Sequence, residues 1–184
     1  LPISSLFSSK MKLFINGRKE SFSILKEKIN PNKKYAWFHV ASLGEYEQGL
    51  PVMEALKKEQ PELGIVLTFF SPSGYEIRKN NTIADVTLYL PLDTKANAKR
   101  FLDLVKPVQA FFIKYEFWPN YLTELKKRNV PTYLISGIFR ENQLFFKPYG
   151  GFYREALKTF THFFVQNETS KQLLQQLHFN NVTV

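Results

Sequence analysis

The stretch YAWFHVASLGEYEQG, residues 35–49, joins a mostly apolar run to a turn of small residues and the start of a helix. A strand that is apolar on both faces is typical of a parallel sheet covered by helices on both sides. We therefore predict a buried strand over 35–40, a turn over 41–45 and a helix after it. Glu45 follows Gly44 at the tip of this turn, where we expect its carboxylate to point into solvent.

The same alternation continues along the chain. Further apolar runs with aromatic and β-branched residues occupy 64–70, 85–90, 108–115, 132–136, 162–166 and 181–184. Helical patterns lie between them, at 47–59, 73–80, 93–107, 118–129, 149–159 and 168–177. Pro51 predicts a late start or a slight kink in the first of these helices, and Asp93 or Thr94 is expected to cap the third. This order predicts an α/β fold, a Rossmann-like doubly wound parallel sheet over residues 35–184.

Composition limits the classes of partner. The 184 residues carry 25 Lys and Arg against 16 Asp and Glu, a net charge of +9, which favours nucleic acid, acidic lipid or phosphorylated substrates. Nucleic acid is disfavoured because the basic residues are dispersed and form no recognisable binding motif. There is no cysteine, and the three histidines lack the spacing of metal ligands, so we expect no metal site.

Residues 1–34 form a basic amphipathic segment, which we predict to be helical, broken near Asn16–Gly17 and ended by Asn30–Pro31. Two interpretations are open. The segment packs on the domain with a solvated basic face, or it lies on an acidic membrane surface.

In parallel sheets, ligands bind at the carboxyl ends of the strands, where the strand order switches direction. A ligand is therefore expected at the strand-to-helix turns, which lie over 41–45, 71–74, 91–94, 115–120 and 136–140. The turns over 41–45, 71–74 and 115–120 carry candidate chemistry. In the first turn, the helix dipole is expected to keep Glu45 ionised and able to accept a proton, although Glu45 is equally consistent with a stabilising charge at the helix start.

The other two turns also allow two interpretations each. Ser73 and Gly74 lie where hydroxyls and free amides can hold phosphate or sugar oxygens, or where Ser71 or Ser73 simply caps a helix. Glu116, between a strand and Trp118, suits sugar binding, or it pairs with Lys114 or a nearby arginine.

The motifs HVASLGE, TFFSPSGYE, YLPLD, IKYEFWPN and SGIFR, in this order and spacing, resemble the amino-terminal half of the 3-deoxy-D-manno-octulosonic acid (Kdo) transferases of Gram-negative bacteria. The resemblance runs from about Lys10 to the end of the chain. It implies a two-domain GT-B glycosyltransferase whose first domain binds the lipid A precursor, lipid IVA. It also implies inverting transfer from CMP-Kdo, which is bound by a second domain that this chain does not contain, without a cofactor or catalytic metal.

The resemblance assigns roles to individual residues. Glu45 would be the general base, and Glu116 a second carboxylate that supports the substrate or the first site. Lys114 stands where many relatives have a glutamate, so it is expected to meet a phosphate or to pair with Glu116. Arg140 is expected to contact an anion, and the remaining candidates are expected to shape the turns of the cleft: Ser42, Gly44, Ser73 and Gly74.

The resemblance also places the protein on the cytoplasmic face of the inner membrane, peripheral or anchored by a segment preceding this chain, with residues 1–34 near the acidic membrane surface. We expect the 184-residue chain to have no transferase activity alone. The alternative is a non-catalytic domain that binds anionic glycolipid or membrane through residues 1–34 and 139–154.

Overall fold

The computed structural model describes the backbone of residues 3–114 and 116–184, and their side chains except those of 3–11 and 13. Tyr115, the last residue of the predicted fourth strand, lies outside the described residues, as do the first two residues of the basic segment.

The described residues form one parallel sheet flanked by helices. The strands are β1 Tyr35–Val40, β2 Gly64–Phe69, β3 Val86–Tyr89, β4 Gln109–Ile113, β5 Thr132–Gly137, β6 His162–Val165 and β7 Val182–Thr183. The helices are α1 Ile3–Lys28, α2 Leu43–Glu59, α3 Pro72–Arg78, α4 Lys95–Val105, α5 Pro119–Lys127, α6 Gly151–Leu157 and α7 Glu168–Gln176, with a 3-10 turn at Leu144–Phe146. The strand order is β3-β2-β1-β4-β5-β6-β7 and all pairs are parallel, which confirms the Rossmann-like doubly wound prediction.

The sheet separates two apolar layers because successive side chains of a strand point to opposite faces. In β1, Trp37 belongs to the layer that also contains buried residues of α1, α4, α5, α6 and α7. Phe38 belongs to the opposite layer, beneath α2 and α3. Every residue of β1 is buried, as the continuous apolar run predicts.

Two predictions about helix bounds are wrong. Helix α2 begins at Leu43 and contains Pro51 in its interior, so the late start is wrong. The slight kink, which is the other alternative, stays a prediction. Helix α1 is continuous through Asn16–Gly17. A Cβ at Gly17 would lie 2.3 Å from the Tyr89 ring. The glycine therefore permits close packing of α1 on β3, and it does not break the helix.

Helix α1 is fastened to the sheet near the carboxyl ends of β2 and β3. Arg18 is buried and donates to the carbonyl oxygens of Phe70, at 2.8 Å, and Phe14, at 3.1 Å. Burial lowers the pKa of Arg18 to about 10, which leaves the guanidinium charged at neutral pH. Ser21 donates to the carbonyl of Tyr89 at 2.8 Å. These contacts support the interpretation in which the segment packs on the domain.

The last turns of α1 present their lysines to solvent, with Lys26 and Lys28 exposed and Leu25 fully buried. Among the described residues, no helix has the length and apolar character required to span a bilayer.

If α1 is part of the domain, Leu25→Ala should lower the free energy of unfolding by about 2–5 kcal/mol, because it removes a fully buried side chain. Ile15→Ala, on an exposed side of the same helix, should change it by less than about 1 kcal/mol. Urea unfolding of both variants checks this. Equal and small effects would contradict the integration of α1.

Candidate active site

The strand order reverses between β1 and β4, which pair directly with each other while their chain continuations lead to opposite edges of the sheet. The turn after β1 and the turn after β4 therefore meet at this switch point. In open α/β sheets, the crevice at such a point is the usual ligand site. It holds two of the predicted carboxylates, Glu45 and Glu116.

Glu45 is the third residue of α2 and folds back onto the turn that precedes it. The N–H of Ala41 donates a hydrogen bond to Oε2 of Glu45. Ser42 occupies the N-cap position, but its hydroxyl makes no capping bond. The result is one half of a capping box, in which the acid reaches back to backbone amides. The carboxylate is buried, at 8% exposure, so the expectation that it points into solvent is wrong.

The proton affinity of Glu45 is high for a carboxylate. Burial, and after it the negative charge of Glu116, raise the pKa of Glu45 to about 7, against the lowering effects of the Ala41 N–H and Lys114. The expectation that the helix dipole keeps this group firmly ionised is therefore wrong: desolvation outweighs the helix-start amides. A carboxylate with a pKa near 7 can both accept and release a proton at neutral pH.

Glu116 is held by two side chains that donate to the same oxygen. The indole N–H of Trp118 lies 2.7 Å from Oε2, and Nε2 of His39 lies 3.0 Å from it. Burial alone would raise the pKa of Glu116, but the hydrogen bonds from His39 and Trp118 hold it below its ordinary value. The two carboxylates of the site thus differ: the pKa of Glu116 lies below its ordinary value, whereas that of Glu45 lies above it.

His39 and Thr68 are functional candidates that the sequence analysis misses. They are partners in the register of β1 and β2, and Nδ1 of His39 lies 2.8 Å from the Thr68 hydroxyl oxygen. A usable signal exists in the sequence. Each is a polar residue inside an otherwise apolar buried strand, where a polar group requires a hydrogen-bonding partner.

Lys114 follows β4 with a left-handed backbone, φ 62°, a conformation uncommon outside glycine and frequent at functional sites. Its backbone N–H donates to the Ile135 carbonyl at 2.8 Å. Among the described residues, its ammonium forms no ion pair with Glu116. The pairing alternative is therefore wrong, and the charge of Lys114 acts on Glu45. Contact with a substrate phosphate stays a prediction.

The turn after β2 is built differently from the turn after β1. The Ser71 hydroxyl caps α3 by accepting from the Ser73 N–H, and a Cβ at Gly74 would lie 2.8 Å from Phe69 and 2.9 Å from the Leu43 nitrogen. Gly74 is thus a packing residue between α3 and the start of α2. Ser73 is exposed beside the site, and its contact with a substrate stays a prediction.

Gly44, in contrast, has open space where a Cβ would stand, and no glycine in the described residues has a positive φ. The backbone does not require glycine at this position. Its absent side chain leaves room directly beside Glu45, as a close-approaching ligand requires.

Arg140 lies in the exposed loop after β5, where its backbone N–H donates to the Gln143 side chain at 2.9 Å. Its anion contact stays a prediction. Arg154, in the same aromatic stretch, donates to the carbonyls of Phe145 and Lys147 and so fastens its own loop.

The LPLD and WPN stretches are joined by hydrogen bonds. Asp93 accepts hydrogen bonds from the N–H groups of Asn120 and Tyr121 at 3.3 Å, and the Asn120 side chain donates to the Asp93 carbonyl. Thr94 caps α4, as one of the two predicted alternatives, while Asp93 caps α5. This clamp fixes the loop that carries Glu116 and Trp118.

Within the described ranges, no three His, Asp or Glu side chains converge as metal ligands.

The seven-stranded parallel sheet and its flanking helices form one Rossmann-like domain of the GT-B type. The fold is similar to that of the UDP-GlcNAc 2-epimerase of Neisseria meningitidis, with a TM-score of 0.59 and 17% identity over 83% of this chain and 46% of that chain. The chain belongs to the 3-deoxy-D-manno-octulosonic acid (Kdo) transferase family, whose sequence profile matches residues 16–184.

Individual relatives agree with this assignment. A 3-deoxy-D-manno-octulosonic acid transferase of Aquifex aeolicus is 37% identical over 60% of this chain and 30% of its own length. That of Rickettsia bellii is 30% identical over 90% of this chain and 40% of its own length. The chain therefore spans well under half the length of the curated relatives it matches.

Gly44→Ala should leave the free energy of unfolding unchanged or raise it by up to about 1 kcal/mol, because alanine favours the helix and its Cβ enters open space. Gly74→Ala should lower it by about 1–3 kcal/mol, because its Cβ overlaps packed atoms. Thermal and urea unfolding check both. A destabilising Gly44→Ala would show that the glycine serves the fold.

The raised pKa of Glu45 also predicts a pH-dependent stability. Its folded-state pKa, about 7, lies above the ordinary 4.5, so the favourable contribution is present below about pH 4.5 and is lost as the pH rises through about 7. Glu45→Gln, which resembles the protonated acid, should therefore raise the free energy of unfolding at pH 8 by up to about 3 kcal/mol. Near pH 4.5 it should have little effect.

Glu47→Gln provides the control, because Glu47 is an exposed residue of the same helix that pairs with Arg78. It should not reproduce the gain at high pH. A stability difference between Glu45→Gln and the unsubstituted chain that does not vary with pH would contradict the raised pKa.

Proposed function

We propose that this chain is the acceptor-binding half of an inverting glycosyltransferase of lipopolysaccharide biosynthesis, which moves Kdo from CMP-Kdo to lipid IVA. The observation that carries the proposal is the buried carboxylate Glu45, with a pKa of about 7, at the sheet's switch point. Membership of the Kdo transferase family supports the choice of transferred sugar.

In this mechanism, Glu45 is the general base. The acceptor hydroxyl loses its proton to the Glu45 carboxylate as its oxygen forms a bond to the anomeric carbon of Kdo. The bond between that carbon and the phosphate oxygen of CMP breaks on the opposite face, and CMP leaves with the electron pair. General-base catalysis of this kind is typically worth about 10²–10⁴-fold in rate. No step requires a metal or a cofactor.

The remaining groups of the site serve the acceptor. Glu116 keeps its charge and accepts a hydrogen bond from a sugar hydroxyl. Lys114 and Arg140 bind phosphate groups of the acceptor, which agrees with the net charge of +9. Ser42, Gly44 and Ser73 line the turns that approach the sugar. CMP-Kdo is bound by a second domain that closes over this edge.

We place the protein on the cytoplasmic face of the inner membrane, with the exposed lysines of α1 near the acidic lipid surface. Acceptor sugars at that surface would enter the crevice beside Glu45.

A second function is favoured by an exposed aromatic surface. Tyr149 is 76% exposed and Phe152 65% exposed, close in sequence to Lys147. Aromatic rings beside a cation suit a non-catalytic domain that binds anionic glycolipid or membrane. Under that function, substitution of Glu45 would not affect the biological activity.

Glu45→Gln in the full-length polypeptide should lower kcat for Kdo transfer by at least about 10²-fold, because the base is removed while the shape is kept. Binding of lipid IVA should be retained. The control Glu47→Gln should transfer Kdo at the unsubstituted rate. Full turnover by Glu45→Gln would refute the role of Glu45. An unsubstituted full-length polypeptide that binds lipid IVA but transfers no Kdo would favour the non-catalytic function.

The 184-residue chain alone should bind lipid IVA but transfer no Kdo, because its described residues form one Rossmann-like domain and the proposed mechanism requires a second domain to bind CMP-Kdo. Incubation with CMP-Kdo and lipid IVA, followed by mass spectrometry of the lipid, checks this. Any Kdo-bearing product made by the purified chain would contradict the claim that a second domain is required to bind CMP-Kdo.

A further inference from the structure

A buried line of hydrogen bonds joins β1 and β2 on one face of the sheet and ends at Glu116, in the site. It runs from Trp37 through Thr68 and His39 to Glu116, which is also bound by Trp118. Trp37, His39 and Thr68 are fully buried. The mechanism above gives His39 and Thr68 no role, and their burial requires one, because polar groups are placed in an apolar core at a cost.

The donors and acceptors of this line fix the orientation of the His39 ring. The Trp37 indole N–H can only donate, so the Thr68 hydroxyl oxygen accepts it at 2.8 Å. At the other end, an ionised Glu116 can only accept, so Nε2 of His39 carries a proton and donates it across 3.0 Å. Nδ1 is then the atom that meets Thr68, at 2.8 Å.

Ring contacts hold the same orientation. The ring of Trp118 stands edge-on to His39 with a centroid distance of 5.1 Å, and Phe112 lies on another side at 5.9 Å. Rotation of the imidazole would break the hydrogen bond at each nitrogen. His39 is thus a rigid donor aimed at one oxygen of Glu116.

Both donors to Glu116 converge on Oε2. Within the described residues, Oε1 receives no hydrogen bond. Because both protein donors occupy Oε2, Oε1 is available to accept a hydrogen bond from a bound ligand. In a sugar-binding site, the donor of that ligand is a hydroxyl group.

We propose that His39 is a positioning residue, which, oriented by Thr68, holds Oε2 of Glu116 so that Oε1 accepts a hydroxyl of the acceptor sugar. This inference rests on the proposed function for the identity of the ligand. The line of hydrogen bonds itself can be tested without turnover.

The first test is spectroscopic and uses the 184-residue chain. Long-range ¹H–¹⁵N spectra of the ¹⁵N-histidine-labelled protein should show His39 protonated at Nε2, and Glu116→Gln should shift that resonance. His162 on β6, which is hydrogen-bonded to Thr183 on β7, is the internal control and should not shift. An Nε2 without a proton, or a His39 resonance indifferent to Glu116→Gln, would overturn the proposal.

The second test is kinetic and uses the full-length polypeptide. Thr68→Val removes the hydroxyl that orients His39 and keeps the shape, and it should lower kcat by about 10- to 100-fold, a usual cost of losing an orienting partner. Thr68→Ser keeps the hydroxyl and should retain activity within about 3-fold. Far-UV circular dichroism identifies a variant that fails to fold.

A folded Thr68→Val with unchanged kcat and KM would overturn the positioning role, as would a Thr68→Ser variant as impaired as Thr68→Val. Lack of Kdo transfer by the unsubstituted full-length polypeptide is a different result. It would overturn the proposed function, while the His39 spectrum would still decide the hydrogen-bond line.

Discussion

Two carboxylates lie close together in the apolar edge of the sheet where β1 and β4 are neighbours, and burial makes it costly for both to be charged. The protein resolves this conflict asymmetrically. Glu116 receives hydrogen bonds from His39 and Trp118, which keep its pKa low, whereas burial and the charge of Glu116 raise the pKa of Glu45 to about 7. The difference between the two acids supports the roles proposed for them, since a group with a pKa near neutral pH is suited to be a base and one that stays ionised is suited to hold a hydroxyl.

Much of the surrounding structure serves to keep this pair in place. Asp93 clamps the start of α5 and thereby the loop of Glu116. Gly74 lets α3 approach the first turn of α2, which carries Glu45. Arg18 ties α1 to the Phe70 carbonyl, and the Phe70 ring packs on Trp118 at 5.5 Å, so even the amino-terminal helix reaches the site through one aromatic contact. The turns after β1, β2 and β4 therefore contain both the candidate site residues and residues that immobilise them.

The fold could be predicted from the sequence because strands buried in a parallel sheet appear as continuous apolar runs. All seven strands were predicted in this way. The turns after β1 and β4 were among the five strand-to-helix turns predicted as places for a ligand, because ligands bind at the carboxyl ends of parallel strands. That these two turns meet follows from the strand order, which only the structure shows. The burial of Glu45 and its raised pKa could not be predicted from the sequence, because both depend on neighbours that lie far away in the chain, such as Glu116. The continuity of α1 was missed for a related reason: Asn16–Gly17 is a turn signal locally, and only the Tyr89 ring explains the glycine. His39 was missed because its partner Thr68 is found only through strand register.

The most direct test of the central claim is the dependence of kcat/KM on pH for Kdo transfer by the full-length polypeptide. If Glu45 is the base, the rate should rise with pH and level off with an apparent pKa near 7, the value that burial gives this carboxyl. Glu116→Gln should lower this apparent pKa, because the neighbouring negative charge is removed. An apparent pKa near 4.5, or one that Glu116→Gln leaves unchanged, would contradict the account.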